Sequence, residues 1–136
     1  MKILIVEDEF VGRMFLQEIL SAYGRCDVAI NGMEAIESFK MALAKKDPYD
    51  VICLDIMMPD VDGQTVLKEI RKLEAENGIF GLAGLKIIMT TALGDLTNIK
   101  TAFKEQCDAY LIKPIMRDKL IQTFKDLGLI SSSIDL

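Results

Sequence analysis

The chain has 136 residues, of which 51% are hydrophobic and 27% are charged, as expected for one soluble globular domain. Its net charge of −5 argues against direct binding of nucleic acid, and the complete lack of histidine excludes Ser-His-Asp catalysis, Cys-His catalysis and His-ligated zinc. No apolar run reaches the roughly 18 residues that span a membrane, and the first one is too short for a signal peptide, so we expect a cytoplasmic protein.

The first predicted strand covers residues 3–6 and leads directly into the acids Glu7 and Asp8. A short apolar run of this kind is typical of a strand that is buried on both faces of a parallel sheet. Apolar residues then recur at intervals of three and four over residues 10–23, which predicts a helix that Gly24 ends. The chain therefore begins with a strand, an acidic turn and a helix.

A second strand is predicted over residues 26–30, and it leads into a second helix. Asn31 has the form of a helix N-cap, because Glu34 follows it at the position of the reciprocal capping partner. Apolar residues continue at helical spacing up to Leu43, and Pro48 lies beyond the predicted end of this helix.

The third predicted strand ends in an acid. Four apolar residues at positions 51–54 run straight into Asp55, and the chain then turns at Pro59. The pair Asp62-Gly63 completes this turn. Asp55 therefore lies at the carboxyl end of a buried strand, which is the edge where open α/β sheets bind ligands. Taken alone, Asp55 fits a turn-capping role better than a reactive one, so its neighbours in the sheet decide its role.

The rest of the chain continues the alternation of helices and strands. The predicted elements are, in order, a helix around residues 66–73, a strand over 86–90, a weaker helix over 99–106, a strand over 109–112 and a last helix over 120–127. The fourth strand finishes at Thr91 and the fifth closes on Lys113. Strands that alternate with helices in this way imply parallel pairing, right-handed crossovers and helices on both faces of one sheet.

Four of the predicted strands end in groups that can act on a phosphoryl group or a cation. These groups are Glu7 with Asp8 after the first strand, Asp55 after the third, Thr91 at the end of the fourth and Lys113 after the fifth. Each has an ordinary explanation, since acids suit the turn before a helix, threonine suits strands and lysine suits any surface. Parallel strands bring their carboxyl ends to one edge of the sheet, so together these residues predict one site.

With these motifs the sequence resembles the receiver domain of bacterial two-component response regulators, which has the CheY-like fold. The matching residues are Glu7-Asp8, Asp55 with Met58-Pro59 and Asp62-Gly63, Thr91-Ala92, and Tyr110 with Lys113-Pro114. The resemblance implies a three-layer α/β/α fold of the flavodoxin-like type, with a doubly wound, five-stranded parallel sheet in the order 2-1-3-4-5 and five helices. It covers residues 1–129, which we expect to form a receiver domain, and leaves residues 130–136 as a flexible tail.

The resemblance also implies a Mg²⁺ site. Asp8, Asp55 and the main-chain carbonyl of Met57 would bind the ion directly, and Glu7 would act through a water molecule. Oxygen ligands without histidine favour this ion. Three carboxylates about 4 Å apart would also repel one another by roughly 4 kcal/mol per pair at an effective dielectric near 20, so a cation would relieve the empty site.

A receiver of this kind is a phosphorylated switch, not an enzyme that turns over a substrate. The resemblance makes Asp55 the phosphoacceptor, which takes a phosphoryl group from a phosphohistidine of a sensor histidine kinase or a histidine phosphotransfer protein. Lys113 would pair with one phosphoryl oxygen and the Thr91 hydroxyl would bond another. Tyr110 would turn inward as Thr91 moves.

The output of such a switch is the face formed by the fourth predicted helix, the fifth strand and the last predicted helix. By resemblance, this face would bind a downstream protein target, and it would also support a homodimer. Met57 and Leu93 are apolar at positions that flank the phosphoryl group, so neither can orient an attacking water molecule. We therefore expect slow dephosphorylation.

Two other functions are compatible with these residues. A receiver-like module that binds partners without phosphorylation would keep its acids for a metal or a protein. A haloacid dehalogenase-type Mg²⁺ phosphatase would share the nucleophilic aspartate, the threonine and the lysine, but it needs a second aspartate two residues after the nucleophile. Met57 stands at that position here, so turnover should be poor.

The connection over residues 79–85 is apolar, rich in glycine and longer than a loop at this place needs. Such a segment is expected to fold onto its own domain. The alternative is an exposed patch that contacts a partner.

Overall fold

The computed structural model describes residues 1–92 and 107–132 of the chain. The strands in these ranges are β1 (Lys2–Val6), β2 (Arg25–Ala29), β3 (Val51–Asp55), β4 (Lys86–Thr91) and β5 (Ala109–Ile112). The α-helices in the same ranges are α1 (Phe10–Leu20), α2 (Gly32–Ala44), α3 (Gly63–Glu76) and α4 (Arg117–Asp126). The helix predicted over residues 99–106, Leu93 and the last four residues of the predicted tail lie outside the described residues, so α4 corresponds to the last predicted helix.

All five strands form one parallel sheet in the order β2-β1-β3-β4-β5, which confirms the predicted order. The register pairs Val6 with Leu54, so Glu7 follows β1 at the level where β3 ends in Asp55. Thr91 pairs with Ile112 at the end of β5. This register brings the carboxyl ends of β1, β3, β4 and β5 to one edge of the sheet, as the sequence predicted.

The core lies on both faces of the sheet, because successive residues of a strand point to opposite sides. One face carries Leu4, Ile52 and Leu54, which pack in one buried cluster with residues of α2 and α3 such as Phe39 and Ile70. The other face carries Ile3, Ile5, Val51 and Cys53, in a cluster with Leu16, Leu20, Leu120 and Phe124 of α1 and α4. Burial on both sides explains why β1 and β3 appear in the sequence as unbroken apolar runs.

Side chains cap the starts of two helices, of which the sequence predicted the cap at Asn31. The Asn31 side chain accepts from the Glu34 N–H at 2.9 Å, which confirms the predicted N-cap. The Glu34 carboxylate accepts at 3.1 Å from the N–H of Ile30, so the reciprocal bond lies one residue before the N–H that a capping box uses. At α3, the Asp62 side chain accepts from the Thr65 N–H at 2.8 Å. Each cap pairs a backbone N–H that the helix itself leaves without a partner.

Helix α1 differs from its prediction in length and in exposure. It ends at Leu20, and the remaining positions up to residue 23 form a turn. Leu16 and Leu20 are buried, whereas Val11 is 71% exposed and Met14 is 51% exposed. Apolar residues occupy more of the helix circumference than one packed stripe can use, so the excess forms an apolar surface.

The connection over residues 79–85 is tied to the domain at both ends. Ile79 donates its N–H to the Glu74 carbonyl, and Leu85 donates its N–H to the buried Glu74 carboxylate, both at 2.8 Å. Between them Phe80 is 67% exposed. The prediction of a segment folded onto its own domain is therefore right for the ends of the connection and wrong for Phe80.

Among the described residues, no helix combines the length and the apolar character needed to cross a bilayer.

Candidate functional site

Three carboxylates converge at the carboxyl edge of the sheet. Glu7 and Asp8 lie on the loop after β1, and Asp55 is the last residue of β3. One oxygen of each lies within 4.8 Å of the other two. Glu7 and Asp55 are each 3% exposed, while Asp8 is exposed at the rim. Such a set of oxygens can hold a hard cation.

Lys113 joins two of these acids. Its Nζ lies 2.7 Å from Glu7 Oε1 and 3.1 Å from Asp55 Oδ2, and it donates a hydrogen bond to each. The lysine follows β5 directly, and the Lys113–Pro114 peptide bond is cis. One ammonium thus faces two buried carboxylates, with Asp8 as a third acid beside them.

The charges of this cluster are unevenly distributed. Burial and the neighbouring Glu7 carboxylate raise the pKa of Asp55 to about 7, against the opposing effect of Lys113. Burial also acts to raise the pKa of Glu7, but hydrogen bonds with Asp55 and Lys113 outweigh it and hold that pKa below its usual value. Burial acts to lower the pKa of Lys113, but the hydrogen bonds and charges of Glu7 and Asp55 outweigh it and raise that pKa. Near neutral pH and without a metal, Asp55 is therefore only partly ionised, next to an ionised Glu7.

Thr91 is the last residue of β4, and Tyr110 lies on the neighbouring strand β5. Thr91 is 1% exposed, and its hydroxyl donates to the Ala92 carbonyl at 3.1 Å. The Lys113 N–H donates to the Thr91 carbonyl at 2.7 Å, which couples the ends of β4 and β5. Tyr110 on β5 is 37% exposed. The structure thus brings Thr91 to the edge that carries the acids and leaves Tyr110 at the surface.

Met57 begins the loop that leaves the site toward α3. Its N–H donates to Asp55 Oδ1 at 3.2 Å, and its side chain is 61% exposed. Gly63, at the end of the same loop, approaches the end of β3, since a Cβ on it would lie 2.5 Å from the Asp55 carbonyl oxygen. Gly63 is therefore required by the close packing of the start of α3 on the end of β3.

Two residues that the sequence analysis missed shape the acidic loop. Arg13 donates from Nη1 to the main-chain carbonyls of Glu7 at 3.0 Å and Asp8 at 3.3 Å. Gly12 faces Glu7, because a Cβ on Gly12 would lie 2.9 Å from Glu7 Oε1. Every residue has a main-chain oxygen, so a hydrogen bond to one requires no particular residue type as partner. The sequence pattern therefore does not indicate the role of Arg13.

A cavity of about 550 Å³ opens beside the site, between α1 and the loop after β5. Its lining residues are Glu7, Glu9, Val11, Gly12, Phe15, Leu16, Lys113, Pro114 and Ile115. Glu7 and Lys113 thus form a polar wall of a cavity whose remaining lining is mostly apolar.

Comparison with known protein families identifies the family to which this chain belongs. The family model of the response regulator receiver domain matches residues 3–125. The chain belongs to this family. This receiver is similar to the chemotaxis protein CheY of Halobacterium salinarum, at 33% identity over 127 residues, and the match covers 93% of this chain and 95% of that protein. It is accordingly a signalling domain of two-component systems, as the sequence resemblance predicted.

Solved receiver structures share its fold. One is the Saccharomyces cerevisiae co-crystal of the histidine phosphotransfer protein Ypd1 and the receiver domain of Ssk1, with a TM-score of 0.80 and 28% identity, covering 100% of this chain and 94% of that one. Another is the receiver domain of the sensor histidine kinase PA1611 from Pseudomonas aeruginosa, which has a magnesium ion coordinated in its active site cleft. It has a TM-score of 0.73 and 28% identity, covering 93% of this receiver and 97% of that chain.

Proposed function

We propose that this receiver is a phosphorylated switch in which Asp55 accepts the phosphoryl group. The observation that carries the proposal is the position of the Asp55 carboxylate. It is 3% exposed, it clusters with Glu7 and Asp8, and it lies 3.1 Å from Lys113 Nζ. A buried acid at the end of a parallel strand, with a lysine and further acids beside it, is suited to nucleophilic attack on a phosphoryl group.

The same acids would hold Mg²⁺. Asp8, Asp55 and the main-chain carbonyl of Met57 would bind it directly, and Glu7 would bind it through a water molecule. The donor set fits a hard cation, because the acids offer oxygens within 4.8 Å of one another and Lys113 neutralises part of their charge. When bound, Mg²⁺ would neutralise the oxygens of the transferred group. The magnesium ion in the similar PA1611 receiver supports this choice.

The transfer moves one phosphoryl group between two proteins. An Asp55 carboxylate oxygen forms the bond to phosphorus while the phosphorus–nitrogen bond of the donor phosphohistidine breaks, and the electron pair stays on the imidazole nitrogen. Lys113 would donate one of the hydrogen bonds that it now makes to Glu7 and Asp55 to a phosphoryl oxygen instead. The Thr91 hydroxyl would leave the Ala92 carbonyl and donate to another phosphoryl oxygen.

An apolar surface beside the site favours a protein as the donor. Val11 is 71% exposed and Phe15 is 37% exposed, and both line the cavity that reaches Lys113. An exposed apolar surface next to a reactive group is typical of contact with a partner protein. Because the chain has no histidine, the phosphohistidine belongs to a sensor histidine kinase or a histidine phosphotransfer protein. The co-crystal of the similar Ssk1 receiver with Ypd1 supports this class of partner.

We place the output of the switch on β5 and α4, together with the helix predicted over residues 99–106. Tyr110 is 37% exposed on β5, so it has an outward position from which the movement of Thr91 would draw it inward. A downstream protein target, or a second copy of the chain, would bind this face in the phosphorylated state.

The switch domain in this proposal covers residues 1–129, with residues 130–136 as a tail. Helix α4 ends at Asp126, and the Leu129 N–H still donates to the Phe124 carbonyl at 2.9 Å. Leu129 and Ile130 also pack against the core cluster that contains Phe124, so the chain stays in contact with the domain through residue 130, one residue beyond the proposed boundary.

We expect no phosphatase turnover from this site. Met57 occupies the position where a haloacid dehalogenase-type enzyme needs its general acid, and its side chain is 61% exposed. A thioether can neither donate a proton to a leaving group nor orient water, so the phosphorylated state would persist.

Intact mass spectrometry after incubation with acetyl phosphate tests the proposal. We expect a gain of one phosphoryl group that requires Mg²⁺ and disappears in Asp55→Asn. Asp50→Asn is the matched control, because Asp50 directly precedes β3, at the end of the strand opposite to Asp55, and its substitution changes the net charge equally. Its labelling should equal that of the wild type.

Labelling of Asp55→Asn to the wild-type level would overturn the assignment of the acceptor. An unlabelled wild type, under conditions that label a known receiver, would favour the module that binds partners without phosphorylation. The acids would then serve a metal or a protein.

A further inference from the structure

The loop that follows Asp55 is bound to the start of a neighbouring helix. Asp60, in the middle of this loop, accepts from the Gly32 N–H through Oδ1 at 3.3 Å and from the Met33 N–H through Oδ2 at 3.5 Å. These N–H groups belong to the first turn of α2. The loop thus supplies acceptors for backbone donors that a helix leaves unpaired at its start.

Close packing accompanies these hydrogen bonds. A Cβ on Gly32 would lie 2.7 Å from the Cβ of Val61 and still closer to the Val61 carbonyl oxygen, so the loop rests directly on the backbone of α2. Asp60 has a lowered pKa, mainly because the Val61 N–H and the N–H groups of Gly32 and Met33 stabilise its carboxylate. Its carboxylate is therefore ionised at neutral pH and available as an acceptor.

The two ends of the loop are fixed separately. Met57 donates its N–H to Asp55 Oδ1 at 3.2 Å, and Gly63 donates its N–H to the Ile56 carbonyl at 2.9 Å. Asp62 caps α3 through the Thr65 N–H. These contacts attach the loop to β3 and α3, whereas Asp60 attaches its middle to α2.

We infer that Asp60 is a positioning residue for the metal site: it anchors the loop on α2 and thereby fixes the Met57 main-chain carbonyl. The inference rests on the proposed function, in which that carbonyl is a Mg²⁺ ligand. Without the anchor, binding of the ion must also order the loop. Groups that orient metal ligands through a second contact typically change metal affinity by about tenfold or more when they are removed.

The experiment is a calorimetric titration of the full chain with Mg²⁺, without any phosphoryl donor. We expect Asp60→Ala to raise the Kd for Mg²⁺ about tenfold. Glu34→Ala is the matched control, because it removes one acid and one hydrogen bond from the same helix start but leaves the loop untouched. Its Kd should stay within about twofold of the wild type.

Asp60→Asn separates position from charge. The amide loses the negative charge but keeps an oxygen that can accept from the Gly32 N–H, so its Kd should lie much closer to the wild type than that of Asp60→Ala. Equal losses in Asp60→Asn and Asp60→Ala would overturn the inference, because they would reduce the effect to charge. Equal losses in Glu34→Ala and Asp60→Ala would overturn it by tracing the effect to the helix start.

The titration also separates this inference from the proposed function. A wild type that binds Mg²⁺ while Asp60→Ala binds it equally well would overturn the role of Asp60 and leave the phosphoacceptor intact. A wild type that binds no Mg²⁺ would overturn both, since the metal site itself would be absent.

Discussion

Gly12 and Glu7 are in such close contact that a Cβ on the glycine would lie 2.9 Å from Glu7 Oε1. Glu7 Oε1 is also the atom that accepts from Lys113 at 2.7 Å. Because Gly12 has no side chain, the Glu7 carboxylate has room beside α1 to accept the hydrogen bond from Lys113. Glycine in the middle of a helix is otherwise unfavourable by roughly 0.5–1 kcal/mol relative to alanine, so its presence here has a local structural reason.

We expect Gly12→Ala to displace the Glu7 carboxylate and to weaken Mg²⁺ binding, although the same change in an open helix would stabilise the fold. Mg²⁺ affinity and the free energy of unfolding would be measured together. The double variant Gly12→Ala/Glu7→Asp should recover part of the affinity lost in Gly12→Ala, because aspartate is shorter by one methylene group. A stabilised Gly12→Ala with unchanged affinity would show that the contact has no consequence.

The raised pKa of Asp55 predicts a pH dependence of stability. In the unfolded chain Asp55 ionises near its ordinary value of 3.8, whereas in the fold it keeps its proton up to about pH 7. The folded state then binds more protons, so stability falls as the pH rises from about 4 to about 7. Glu7 has a lowered pKa and Lys113 a raised one, so both keep their charge from about pH 5 to about pH 8 in either state.

Asp55→Asn should remove this slope. Between about pH 5 and about pH 8 the wild type should lose roughly 2 kcal/mol of stability relative to Asp55→Asn, without Mg²⁺. Urea unfolding followed by circular dichroism measures the difference. Added Mg²⁺ should raise the stability of the wild type at the higher pH and affect Asp55→Asn less. Parallel pH profiles of the two proteins would contradict the prediction.

Lys113 should stabilise the metal-free site by its charge. In Lys113→Met the carboxylates of Glu7 and Asp55 lose their ammonium, which should cost roughly 1–3 kcal/mol at about pH 8, since the lysine side chain is partly exposed. The cost should shrink at about pH 5, where Asp55 is protonated. Arg25→Met is the control, because the side chains of the Arg25–Asp47 ion pair are 65% and 57% exposed, so this variant should lose less than about 1 kcal/mol.

A structural feature can be predicted from the sequence only where it requires particular residue types at particular positions. Strands β1 and β3 were predictable, because burial on both faces produces an unbroken apolar run. The edge that unites Glu7, Asp55 and Lys113 followed from parallel topology. By contrast, Asp60 reaches a helix start 28 positions earlier in the chain, and a bond to a backbone N–H selects no particular partner residue.

Helix α1 shows the other limit. Its apolar residues predict a helix correctly, but they do not show which of them face the sheet. Leu16 is 2% exposed and Val11 is 71% exposed, although both are apolar and close in the sequence. Apolar residues that contact a partner are of the same types as those that pack in the core. The sequence therefore does not distinguish them, and only the structure shows which are buried.

Met57 predicts a long-lived phosphorylated state. Its thioether is 61% exposed beside Asp55 and cannot orient a water molecule for attack on phosphorus. Met57→Asn should therefore speed the loss of the phosphoryl group several-fold, followed by intact mass after removal of acetyl phosphate. Met41→Asn is the control, because Met41 is a similarly exposed methionine on α2, with 56% exposure. Rapid loss from the wild type that Met57→Asn leaves unchanged would contradict the prediction.

Thr91 should couple phosphorylation to Tyr110. The Thr91 hydroxyl now donates to the Ala92 carbonyl, and its movement to a phosphoryl oxygen would change the packing around Tyr110. Fluorine NMR of 3-fluorotyrosine, with Tyr110→Phe to assign the signal, can follow this coupling. Beryllofluoride with Mg²⁺ should shift the Tyr110 signal in the wild type and in Thr91→Ser, which keeps the hydroxyl.

In Thr91→Ala the Tyr110 signal should stay near its unphosphorylated position, while labelling of Asp55 by acetyl phosphate continues. The two readouts separate the switch from the chemistry, because Thr91→Ala removes a donor to the phosphoryl group without removing the nucleophile or an acid of the metal site. If the Tyr110 signal of Thr91→Ala shifted as far as that of the wild type, the coupling would run through another part of the site, and Thr91 would have no part in the switch.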